Sequence, residues 1–240
     1  MKSPGDYDLQ INNNLLSCVK IQSNISIHRL LFRLYLHRIT KQVRMKKQMD
    51  LLLPPEMALT AEEIGVSKTN MGVVKTIILA ILAGAFIAFG CMFSTTVMSG
   101  NSIGYGFNRL VGGFAFSIGL ILVIISGAEL FTGNNLIIMA WANKKINTKR
   151  LLRNWILVYT GNALGALLMV MLIFMSRYPL GGKGAVGLSI MNIAEAKCSF
   201  SFLQSISLGI LCNILVCLAV WMSYSATDVT GKIMAILFPV

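Results

Sequence analysis

The chain has 240 residues, of which 55% are apolar and only 12% charged, and its mean hydropathy is +0.71. Soluble domains carry about 25% charged residues, so a soluble globular fold is excluded as the main class. The net charge of +12 is not a nucleic-acid signature: eleven of the 21 Lys and Arg lie at or before Lys75 and five more between Lys144 and Arg153, outside the long apolar runs, where basic residues mark membrane topology.

Residues 1–49 differ in composition from the rest and read as a basic N-terminal extension. Ile27, Leu30, Leu31 and Leu34 recur at helical spacing, with Arg29, Arg33 and His37 on another face. That is the pattern of a basic amphipathic helix on an anionic membrane surface. An equal alternative is a start at Met45 or Met49, with the preceding residues coming from an over-extended reading frame. No short apolar core with a small-residue cleavage site precedes the first span, so no secretory signal is read. Residues 50–70 are expected to form a short helix on the cytoplasmic surface. Pro54-Pro55 suit its start, and Glu56, Glu62 and Glu63 are placed on its early turns, where the helix dipole favours acids.

A helix needs about 20 apolar residues to cross the hydrocarbon core. Residues 76–97, 110–142, 155–175 and 202–222 qualify, and residues 233–240 begin a fifth segment. No charge falls within 76–108, 154–176 or 198–227. Basic residues crowd the N-terminal region, the 144–153 loop and Lys232, which the positive-inside rule assigns to the cytoplasm. Gly84, Gly90, Gly112, Gly113, Gly119, Gly161 and Gly165 let helices approach closely in lipid. They support a tight bundle and identify no substrate.

The second span is interrupted by Gly127-Ala128-Glu129-Leu130-Phe131-Thr132-Gly133-Asn134-Asn135. A bilayer offers no water to backbone amides, so a break at membrane depth survives only inside protein or beside a water-filled cavity. A carboxylate at mid-span costs roughly 2.5–3.5 kcal/mol on insertion scales, so Glu129 faces inward. A simple anchor would be better served by an unbroken helix; the break argues for a path through the membrane. Glu129 either caps the half-helix after the break or pairs with a basic group across the pore, and Thr132 or Asn134 offers another cap. Gly127, Glu129, Gly133 and Asn134 are therefore read as structural support of the broken helix.

Nothing points to an enzyme, a metal or a cofactor. The five cysteines (Cys18, Cys91, Cys198, Cys212 and Cys217) are odd in number, and none has a histidine at ligand spacing. The 14 methionines are scattered through the spans. Gly181-Gly182-Lys183-Gly184 lacks the surroundings of a nucleotide loop.

Gly127-Ala128-Glu129-Leu130-Phe131-Thr132-Gly133 resembles the broken-helix motif of the formate–nitrite transporter family. In the same order, Asp50-Leu51-Leu52-Leu53-Pro54, Leu110-Val111-Gly112-Gly113, Asn154-Trp155, Gly161-Asn162 with Gly165-Ala166, and residues 213–225 (NILVCLAVWMSYS) also resemble it. The likeness covers residues 50–240. Together these motifs are specific, whereas a lone GG or GN carries nothing. Asp50-Leu51-Leu52-Leu53-Pro54 and residues 218–225 (LAVWMSYS) look most like the formate-channel subgroup.

The resemblance implies an all-α membrane protein, an aquaporin-like inverted-repeat helical bundle whose second and fifth helices are broken around a pore. This chain would hold spans 1–4 and the start of span 5, about two-thirds of a protomer. The resemblance further implies a homopentamer in the bacterial cytoplasmic (inner) membrane, multi-pass with the N-terminus cytoplasmic. It would carry formate or a similar small monovalent anion, linked to a proton. Phe116 and Leu120, on one helix face, match one constriction of that pore. Leu130 and Phe131 match a second, where Thr132 offers a hydroxyl. Lys197 matches a lysine at the outer mouth, and Asn213 an asparagine near it. Without the resemblance, Lys197 reads as a solvated loop lysine, Asn213 and Asn162 as amides bonding neighbouring helices, and the four apolar residues as core or lipid-facing. The family's central histidine lies in the second broken helix, and the only histidines here are His28 and His37. A chain that by itself does not conduct formate is therefore expected. A nitrite or hydrosulfide channel on the same fold, and a non-functional membrane fragment, stand as alternatives.

Overall fold

The computed structural model describes Arg33, Arg38, residues 51–100 and residues 104–239. The chain divides into two units, Met1–Asp50 and Leu51–Val240. The amphipathic helix expected around residues 27–37 lies outside the described residues, apart from Arg33, and so does the question of Met45 or Met49.

The second unit begins with α1 (Pro54–Asn70). Proline suits a first turn because its φ is preset and its missing N–H would be unpaired anyway. The Leu53 amide donates to Glu56 Oε2 at 3.2 Å, closing that end. Of the three acids expected on early turns, only Glu56 is there. Glu62 sits mid-helix and buried, since the helical period puts Met57, Ala61, Glu62, Gly65 and Thr69 on the face that meets the bundle.

Next come α2 (Val73–Met98) and α3 (Tyr105–Ser126), then the break, α4 (Phe131–Asn134), a 3-10 turn (Asn135–Ile137) and α5 (Ile138–Ala142). The long α6 (Thr148–Met175) follows, then a 3-10 segment (Tyr178–Gly184), α7 (Ala185–Cys198), α8 (Phe202–Ser225) and α9 (Val229–Leu237). Helix is the only regular secondary structure among the described residues, with α2, α3, α6 and α8 long and apolar enough to cross a membrane.

Three expectations are corrected. The span expected from residue 155 starts at Thr148, because the Asn147 side chain accepts the Arg150 amide at 2.9 Å and carries the helix into the polar loop. The region between the third and fourth spans, expected as a loop, contains α7. The fifth segment starts at Val229, capped by Asp228, whose carboxylate accepts the Gly231 amide at 3.2 Å.

Packing centres on α2, which lies against both α3 and α6. The approach to α6 is close enough to require glycine. A Cβ at Gly84 would sit 2.9 Å from the Cα of Asn162, and one at Gly165 would sit 2.8 Å from the Ile81 carbonyl carbon. Ala83, Leu120, Val123, Ala128, Ala219 and Ile236 form a buried cluster. The outer faces stay apolar and exposed, as at Leu167 and Met171, which suits helices whose solvent is lipid.

Candidate functional site

The site is the broken helix. α3 ends at Gly127, whose φ of +70° is left-handed and open to glycine without the clash of a Cβ. The chain then runs extended through Leu130 and turns helical again at Phe131. The break is thus shorter than the nine-residue interruption in the sequence, and Thr132 through Asn135 lie in helical turns.

The reason lies in another helix. The restart has no side-chain cap of its own, so neither Thr132 nor Asn134 caps it. Asn162 of α6 does: its Oδ1 accepts the Phe131 amide at 2.9 Å. The same amide group donates from Nδ2 to the Ala80 and Glu129 carbonyls, both at 2.8 Å. One side chain therefore satisfies the backbone on both sides of the break and ties it to α2. The Glu129 amide also donates to the Leu79 carbonyl at 3.1 Å. At membrane depth such groups have no water to turn to.

Glu129 does not cap the half-helix either. It is buried, and its Oε1 lies 3.2 Å from Lys68 Nζ of α1. Its Oε2 accepts from Asn134 Nδ2 at 2.7 Å. Asn134, with no exposed surface, also accepts Lys68 Nζ at 2.7 Å and donates to Asn154 Oδ1 at 3.0 Å. The Trp155 indole N–H donates to the Asn134 carbonyl at 3.1 Å. The charge in the span is thereby neutralised by a lysine delivered from α1. Pairing of this kind is what a membrane-depth carboxylate requires.

Two cavities flank this network. One, of about 750 Å³, is bordered by α2, α6 and α7 and reaches Leu130, Phe131, Tyr159 and Lys197. Its walls are almost wholly apolar. The other, of about 340 Å³, reaches Lys68, Leu120, Gly127, Glu129, Tyr224 and Lys232. Gly133 and Asn134 also line the second cavity. Among the residues lining the two cavities, Leu130 alone borders both. Phe131 is held in place by edge-on contacts with Trp155 and Tyr159, at centroid distances of 6.3 and 5.4 Å.

The residues singled out from the sequence are thus not all brought together. Leu120 and Leu130 meet at the second cavity, and Leu130, Phe131 and Lys197 at the first. Phe116, Thr132 and Asn213 line neither. Asn213 Oδ1 accepts from Asn135 Nδ2 at 2.5 Å, joining α8 to the half-helix. The Thr132 carbonyl accepts a weak bond from the Cys217 thiol at 3.4 Å. Lys68, Asn154, Trp155, Tyr159 and the bracing role of Asn162 were missed. One signal was present: amides inside apolar spans must bond something.

An all-helical bundle with apolar spans, one of them broken and braced inside the protein, defines a membrane protein of the broken-helix channel and transporter class. The formate/nitrite transporter family matches residues 55–240, and the chain belongs to that family. It is 44% identical over 192 residues to "Formate channel FocA" of Escherichia coli K12, covering 80% of this chain and 67% of that protein. The protein of the same name from Haemophilus influenzae is 39% identical over 190 residues, covering 79% and 67%. Among solved structures, "Pentameric formate channel with formate bound" aligns with a TM-score of 0.66 at 45% identity, covering 70% of this chain and 66% of that one. An "FNT family ion channel", at 24% identity and a TM-score of 0.68 over 77% and 74%, shares the fold. The chain spans about two-thirds of the length of these formate-channel relatives.

Proposed function

We propose that this protein belongs to a proton-linked membrane channel for formate or a similar small monovalent anion, a homopentamer with one pore per protomer, and that it performs no enzymatic chemistry. One observation carries the reading: two cavities with lysines at their borders are divided at Leu130. Lys197 draws anions into an apolar vestibule, because a cation beside low-dielectric walls concentrates the opposite charge. At Leu130 a bare anion finds no water and crosses poorly, whereas the neutral acid pays a far smaller desolvation cost. The formate channels among the relatives support formate as the anion. Basic residues at 144–153 and at Lys232, flanking the apolar spans, favour the inner membrane with the N-terminus cytoplasmic.

The test is a flux assay on a chimera in which residues 55–240 replace the matching segment of the E. coli formate channel. In liposomes it should admit formate faster than nitrite or hydrosulfide. A chimera that inserts and assembles yet passes no formate, or that passes another of these anions in its place, overturns the reading.

A further inference from the structure

Away from the pore, the turn between α5 and α6 forms a cavity of about 570 Å³, bordered by Trp141, Lys144, Lys145, Ile146, Thr148 and Arg150. We propose that it binds the phosphate headgroup of an anionic phospholipid, with the acyl chains laid along the exposed apolar faces of α5 and α6.

The turn is built rather than loose. Lys145 is committed elsewhere, its Nζ 2.6 Å from Glu62 Oε2, while Asn143 bonds the other oxygen of Glu62. Ile146 is buried with Ile137, Ala140 and Leu151. Asn147 caps α6. The Trp141 indole N–H donates to Thr148 Oγ1 at 3.0 Å, fixing one wall. With these residues anchored, the chain passes through Lys144 at φ +57°, a left-handed conformation unfavourable for a lysine.

What is left facing the cavity is positive. Lys144 is exposed and has no hydrogen bond or ion pair from its ammonium among the described residues. Arg150 spends one nitrogen on the neutral Asn70 amide, at 3.1 Å, and keeps its charge uncompensated. The cavity also sits at the first turn of a 28-residue helix, where the dipole adds to the attraction for an anion. The carboxylate nearest in the network, Glu62, is already balanced by Lys145.

The surroundings choose lipid over a soluble phosphate. Thr148, Leu152 and Ile156 are four residues apart and form one stripe of α6. Leu152 is 48% and Ile156 62% exposed. On α5, Ile138 and Trp141 are exposed three residues apart. An exposed apolar face therefore leads away from a cationic cavity, with a tryptophan beside it of the kind that favours a membrane interface. Basic pockets beside membrane helices recognise acidic headgroups in this way.

The test uses the purified 240-residue protein in detergent with phosphatidylglycerol, and native mass spectrometry as the readout. Retained phosphatidylglycerol should exceed phosphatidylcholine of the same acyl chains. The Lys144→Ala/Arg150→Ala variant should bind it roughly thirtyfold more weakly, at about fivefold per cation removed. Arg109→Ala/Lys183→Ala, which removes two cations elsewhere, should bind as the parent does. Equal retention of the two lipids, or equal loss in both variants, would show only diffuse charge attraction and overturn the proposal. Displacement of the lipid by millimolar inorganic phosphate would reassign the cavity to a soluble ligand and overturn it too.

Discussion

Lys68 and Lys197 each border a cavity that ends on Leu130, yet their circumstances are opposite. Lys68 is three-quarters buried, paired with Glu129 and bonded to Asn134. Lys197 is exposed at the end of α7, with almost wholly apolar walls before it. The same ammonium serves two purposes according to what surrounds it. Where the fold supplies a carboxylate and an amide, the charge is consumed in holding the break together. Where it supplies hydrocarbon, the charge stays open to the cavity, and under the proposed function it meets the anion. Residue type alone does not separate a paired lysine from an open one; the partners do.

The contrast can be broken from the structural side. Lys68→Met leaves Glu129 buried without a counter-charge. Removing one partner of such a pair costs about 3–5 kcal/mol, and the low end is expected because Lys68 keeps 24% of its side chain exposed. Thermal unfolding in detergent, followed by tryptophan fluorescence, should show this as the largest loss of any single change. Adding Glu129→Leu should recover much of it, and a double variant as unstable as the single would dissolve the pair argument.

Next in size is Asn162→Leu, which removes the cap on Phe131 and the donor to two carbonyls. Buried groups left unpaired cost about 1–3 kcal/mol. Hydrogen exchange at the Phe131 amide should accelerate, and unchanged protection there would mean another group caps the half-helix.

Lys197→Ala should invert the pattern. Stability should stay within about 0.5 kcal/mol, as for exposed substitutions. Formate flux through the chimera should fall about tenfold at low salt and less at high salt, since steering by an exposed charge is screened. A loss of stability without a loss of flux would place Lys197 with Lys68 after all.

The smallest effect concerns Glu62, which Lys145 and then Asn143 hold below the ordinary carboxylate range despite an opposing push from burial. A carboxyl with a depressed folded value stabilises fully above the unfolded value of 4.5. That contribution fades as the pH falls through the lower, folded value. The parent should therefore lose stability on acidification below about pH 4.5 more steeply than Lys145→Ala does. Parallel curves for the two proteins would contradict the pairing.

Much of the architecture was legible because its causes are local. Apolar runs of span length located α2, α3, α6 and α8, although α6 begins well before its apolar run, and Gly127 with Glu129 betrayed the break. α7 escaped notice because it is short and its Glu195 and Lys197 sit among exposed residues, so no buried stripe marks it. Lys68 escaped because it belongs to α1, 61 residues before its partner, and nothing in the local pattern of either announces the other.

The composition and its periodicity, by themselves, determined that this is a membrane protein of helical spans with one span broken at a carboxylate. Those properties follow from how apolar runs and glycines behave over a few turns. Which group caps the restarted helix, which lysine neutralises Glu129, and which lysine is left beside open space were decided only by the tertiary structure. Asn162 prevails over Thr132 and Asn134 as the cap because the glycine contacts between α2 and α6 bring it within hydrogen-bonding distance of a backbone 31 residues away.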